Sequence, residues 1–137
     1  ELHAVGDVLV FSDAREEFVK VVVGLFHVDE FLAHVNHAAD ALGEYATVIN
    51  KPTFGSTDLV ALMREYVQQY GQPNVNVEII GLCTDICVVS NALIEKAFYP
   101  EMPITLDAKC CAGVTPATHD AAIATMRMCQ INVINAD

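Results

Sequence analysis

The chain has 137 residues, 53% of them hydrophobic, and carries 18 acidic against 7 basic side chains for a formal net charge of -11. That length allows one domain with a sizeable core and excludes two ordinary ones. The negative charge argues against a nucleic-acid partner, and no apolar run approaches the roughly 18 residues that span a bilayer, so no membrane partner is expected either. A mean hydropathy of +0.37 is high for a small domain. It points to strands buried on both faces and to an apolar subunit interface, hence a homo-oligomer acting on a small-molecule substrate. No charged segment leads into an apolar one at the N-terminus, so the expectation is a cytoplasmic chain. Cysteines at 83, 87, 110, 111 and 129 are odd in number and fit neither a disulfide framework nor a zinc spacing, so they read as reduced thiols.

In chain order, Asp7 to Phe11 is a short apolar run with the length and β-branched content of a buried strand, ending at Ser12-Asp13. Val19 to Leu25 is a second apolar run whose role the pattern does not settle. From Asp29 to Leu42, Phe31, Leu32, Val35, Ala38, Ala39 and Leu42 recur at helical spacing, and Gly43 is a natural residue to end that helix. Ala46 to Ile49 reads as a strand delivering Asn50-Lys51. The turn-rich loop Pro52 to Thr57 supplies Ser56 or Thr57 as cap for a helix carrying Leu59, Leu62, Met63 and Val67 on one face, closed by Gly71 to Asn74.

Val75 to Leu82 is the expected central strand, and Asp85 to Phe98 the helix after it. A turn over Tyr99 to Pro103 enters a strand from Ile104 to Leu106, followed by Asp107 and a loop from Ala108 to Thr115. The last helix begins near Pro116 with Thr115 as cap and runs to Cys129; Ile131 to Ile134 is the last strand. Strands alternating with helices imply parallel pairing through right-handed crossovers, and so a three-layer α/β/α domain with a mostly parallel, Rossmann-like sheet.

The chemistry concentrates where the central strand turns into its helix, because Cys87 stands at the helix start. Unpaired N-H groups and the positive end of the helix dipole favour thiolate there, and the same N-H groups could hold an oxyanion. A cysteine alone is more often a small core hydrophobe. A lysine such as Lys51 is more often solvated, and an aspartate after a strand, such as Asp13, more often a turn residue or cap. Asp85 could serve simply as an acid at a helix N-terminus.

The odds shift when the motifs are joined. Gly81-Leu82-Cys83-Thr84-Asp85-Ile86-Cys87-Val88 resembles the G-x-x-T-D-x-C-V signature of the isochorismatase-like cysteine hydrolases. Lys51-Pro52-Thr53-Phe54-Gly55-Ser56 and the stretch Pro103 to Val114 most resemble nicotinamidases within that superfamily. The resemblance is nearly continuous from Lys51 onward; before it only pieces match, with Asp13 and Phe18 at the spacing of D-x-Q-x-x-F and Arg15 in place of the glutamine.

The resemblance implies the isochorismatase-like hydrolase fold and an Asp13-Lys51-Cys87 triad. It implies an oxyanion hole from the backbone N-H groups of Cys83 and Cys87, a cis peptide at Leu82-Cys83, and Phe18 stacked on the substrate ring. The implied reaction is hydrolysis of the carboxamide of nicotinamide or a close analogue through a thioester. Alternatives are the same fold acting on a carbamoyl or ureido compound or an isochorismate-like enol ether, and a catalytically silent oligomeric interaction domain. Nicotinamidases also carry a divalent metal, zinc or manganese, on a D-x-H motif that this chain lacks. Between Phe18 and Lys51 it has His27, Asp29, His34 and His37, of which His34 and His37 share a helix face. Asp13 and Lys51 are unusually close in sequence for that family, so the single domain, 1–137, reads as shortened between residues 18 and 51.

Overall fold

A computed structural model describes residues 6–12 and 18–23, both as strand backbone, and residues 46–137. Six strands form one sheet: β1 (Gly6–Ser12), β2 (Phe18–Val23), β3 (Ala46–Lys51), β4 (Asn76–Leu82), β5 (Ile104–Ala112) and β6 (Asn132–Ile134). Their order is β3-β1-β2-β4-β5-β6. β1 runs antiparallel to both β2 and β3, whereas β2-β4, β4-β5 and β5-β6 pair in parallel. Five strands therefore point one way, with β1 reversed among them. The mostly parallel sheet agrees with the expectation; the direct β1-β2 reversal does not follow from the alternating pattern. The unplaced apolar run is largely β2, and the helix expected over 29–42 lies outside the described residues.

Three α-helices are described: α1 (Thr57–Tyr70), α2 (Val89–Phe98) and α3 (Pro116–Met128). Each starts or stops where its sequence dictates. The Ser56 hydroxyl accepts the Leu59 N-H at 3.1 Å, and Gly71, at a φ of 79°, ends α1 while its N-H bonds Val67 O. Thr115 and Thr118 form a capping box at α3, with Pro116 in the first turn.

α2 touches both α1 and α3. β4 shows which face they cover, since Val77 and Ile79 are buried while Glu78 and Ile80, which alternate with them, are half-exposed. Leu59 and Met63 of α1, Ile104 and Leu106 of β5, and Ile123 and Met126 of α3 complete this core, each burial contributing about 1.5–3 kcal/mol. The α/β class is thus as expected. The helical cover seen among the described residues lies on one face, and the second helical layer of the three-layer expectation falls outside them.

At the end of β4 the ladder breaks. Ile79 pairs with Leu106, but two residues later Gly81 pairs with Cys111, so β5 bulges outward between them. Gly81, at a φ of 131°, takes a conformation that a side chain disfavours. This is why β5 continues to Ala112, where the composition of Ala108 to Thr115 suggests a loop.

Candidate active site

Past Gly81 the Leu82-Cys83 peptide is cis, in keeping with the resemblance. The chain then makes one π-helical turn, Thr84–Val88, before α2 begins. The Cys83 carbonyl accepts the N-H groups of Ile86 and Val88, both at 3.1 Å. This wide turn carries Cys87 to the end of β3, where Lys51 Nζ donates to Cys87 Sγ at 3.3 Å and to Thr53 O at 3.4 Å. Both side chains are 0% exposed. An ammonium removed from water needs a counter-charge or acceptors, and among the described residues the Cys87 sulfur and the Thr53 carbonyl are the acceptors it meets.

The two elements are also tied at a second point. Asn91, fully buried one helical turn after Cys87, accepts the Ser56 N-H at 2.9 Å and donates to Phe54 O at 2.9 Å and Cys87 O at 2.8 Å. The loop after Lys51 and the helix after Cys87 therefore share one amide. Ser56, which caps α1, is held by the same contact, so the core helix and the Lys51-Cys87 pair are registered to each other. Asn91 carries no motif of its own; its spacing of four from Cys87 is the signal that could have found it.

The remaining thiols have different surroundings. Burial, then Asp85 and Cys87, push the Cys83 thiol up. Burial, with smaller contributions from Cys110 and Asp107, raises that of Cys111 to about 11. Asp85 accepts the Val114 N-H at 3.1 and 3.2 Å, and its carboxyl is held below the usual range chiefly by the Thr118 hydroxyl. Its job is to pin the turn to the loop after β5.

Of the expected site residues, the structure brings Lys51 and Cys87 together with Cys83 beside them. Phe18 is not among them. Its backbone pairs with Asn76 at the start of β4, about 20 Å along the strand from Leu82. Asp13 lies outside the described residues. Gly6 pairs with Lys51 and Phe11 with Ala46, so β1 begins at the site and its last residue, Ser12, lies at the opposite edge of the sheet. His27, Asp29, His34 and His37 are likewise outside, and among the described residues no three His, Cys, Asp or Glu side chains group to hold a metal. No helix among the described residues is long and apolar enough to cross a membrane.

Residues 44–137, from just before β3 to the end, match the family model of the isochorismatase domain. The chain belongs to the isochorismatase family. Solved structures with a similar fold include a nicotinamidase from Staphylococcus aureus, at a TM-score of 0.57 and 22% identity over 82% of this chain and 69% of that one. A nicotinamidase from Bacillus subtilis has a TM-score of 0.54 and 22% identity, over 80% of this chain and 56% of that one. A pyrazinamidase/nicotinamidase from Streptococcus mutans has a TM-score of 0.57 and 17% identity, over 85% and 74%. At such identities the likeness is one of fold. The isochorismatase-family chain spans less than half the length of some other solved relatives, 45% and 41% in two cases. A comparison with curated proteins finds no match.

Proposed function

We propose that this chain is a cysteine amidohydrolase, a hydrolase of C-N bonds, acting on the carboxamide of nicotinamide or a close analogue. The observation that carries the reading is the buried Lys51-Cys87 contact of 3.3 Å, at the strand-to-turn junction within the stretch that matches the family. In this reading Cys87 Sγ attacks the carboxamide carbon, and the N-H groups of Cys83 and Cys87 receive the negative charge that develops on the carbonyl oxygen. The resemblance assigns to Asp13 the role of taking the thiol proton and passing it to the leaving ammonia, and water then cleaves the thioester to release the acid. Lys51 stays charged throughout and balances the sulfur.

Similarity to nicotinamidase folds, together with Lys51, Thr84, Asp85 and Cys87 at their motif positions, supports the nicotinamide assignment. The test is ammonia release from nicotinamide by the whole chain beside Cys87→Ala and Asp13→Asn, with and without added zinc or manganese. Release that vanishes in Cys87→Ala is the expected result. A wild-type chain that releases none while its Cys87 alkylates quickly would move the assignment to a carbamoyl, ureido or enol-ether substrate. An inactive chain whose Cys87 is also inert overturns the enzyme reading. Activity that survives Asp13→Asn would remove that residue from the triad.

A further inference from the structure

The turn that presents Cys87 has no side-chain cap of its own. It is gripped from outside, and two of its grips come from the segment after β5, which supplies no reacting group. One is the Val114 N-H on the Asp85 carboxylate. The other joins Thr84 Oγ1 and His119 Nδ1 at 2.8 Å. Thr84 is the first residue of the turn and is 0% exposed, so its hydroxyl needs a protein partner and His119 supplies it.

The approach that makes this bond possible is built into the backbone. A Cβ at Gly113 would stand 2.9 Å from His119 Cβ and 3.0 Å from its N and Cα, so only glycine lets the end of β5 lie against α3 at that point. The Thr115-Thr118 capping box fixes where α3 starts and hence where the imidazole emerges. The ring also lines a cavity of about 290 Å³ with Cys111, Ala112 and Pro116, so removing it need not empty the main core.

From these contacts we propose that His119 is a positioning residue for Cys87. Its Nδ1 holds Thr84, and through Thr84 it holds the turn so that the sulfur stays against Lys51. The inference deepens the amidohydrolase reading and rests on it for the chemistry, although the contact itself can be tested without a substrate. Asparagine at position 119 can place a polar atom where Nδ1 now lies, whereas glutamine places one nearer Nε2, so the two substitutions separate the hydrogen bond from mere polarity.

The experiment is iodoacetamide alkylation at fixed pH, followed on the Cys87 peptide by mass spectrometry with exposed Cys129 as internal control. It is run on the wild type, His119→Asn, His119→Gln, Thr84→Val and the double variant His119→Gln/Thr84→Val. His119→Gln and Thr84→Val should each slow Cys87 about tenfold, on the scale of rate lost to small misplacements, because the thiolate is the reactive form and the turn no longer holds sulfur at the ammonium. His119→Asn should stay within about threefold, Cys129 should be unaffected, and the double variant should be no slower than either single one. Ammonia release, measured in parallel, should lose kcat by the same factor with KM unmoved.

A Cys87 rate that is unchanged or rises in His119→Gln and Thr84→Val would overturn the proposal, as would equal loss in His119→Asn. So would a wild-type Cys87 that does not react. A wild type that alkylates at Cys87 yet releases no ammonia would overturn the nicotinamide reading alone, leaving the alkylation series to decide the positioning role.

Discussion

Cys87, Asn91 and Glu95 stand four residues apart on one buried stripe, and the two ends of that stripe have opposite fates. At one end Cys87 meets the Lys51 ammonium, and Asn91 beside it makes three hydrogen bonds. At the other, Glu95 is 0% exposed and neither carboxyl oxygen has a hydrogen-bond partner among the described residues. Burial alone pushes its carboxyl up to about 8, so Glu95 is held neutral at pH 7. The same helix thus buries polar groups for two different reasons. At its start each polar atom has a counterpart that fixes geometry, whereas one turn past Asn91 a carboxyl occupies a position that the core would fill with an apolar side chain.

The matched end should break most severely. Lys51→Met keeps the bulk but leaves Cys87 without its cation, and loss of about 10³-fold in Cys87 alkylation and in any ammonia release is expected, with the fold retained by circular dichroism. Retained reactivity would show that the 3.3 Å contact is only packing. Next in size is Asn91→Ala, which leaves the Ser56 N-H and the carbonyls of Phe54 and Cys87 without their partner. Each buried orphan costs about 1–3 kcal/mol, so roughly 3 kcal/mol of stability should be lost in urea unfolding. A change below about 1 kcal/mol would mean that the loop and α2 are not coupled through this amide.

The contrast also explains what the sequence made legible. Ser56, Gly71 and Thr115 announce their helix ends because capping is local chemistry, and β4 is visible as a β-branched run closed by glycine. Lys51 and Cys87 are readable because both sit in short motifs at strand ends. β2 is not, since a short unbroken apolar run has no period to classify it. The edge on which Phe18 falls depends on the reversal between β1 and β2, a tertiary fact with no local residue to signal it. Asn91 and His119 escaped for another reason: an amide or imidazole gains its meaning from partners 35 residues away in sequence, Ser56 for one and Thr84 for the other.

The effect that depends on pH comes from the unmatched end, and its sign follows from linkage. In the unfolded chain Glu95 ionises near its ordinary value of 4.5, while in the fold it keeps its proton up to about 8. The folded state therefore binds more protons between those values, and stability falls as pH rises through that window, levelling off above it. Glu95→Gln cannot ionise and should remove most of this slope, leaving the variant clearly more stable than the wild type at pH 8.5 and nearly equal to it at pH 4.5. Glu95→Leu should be more stable than the wild type throughout, because it also removes two orphaned oxygens. Unfolding midpoints of the three chains at pH 4.5, 6.5 and 8.5 decide the matter. Parallel curves for wild type and Glu95→Gln would mean that Glu95 finds a partner when it ionises, and that the stripe is matched from end to end.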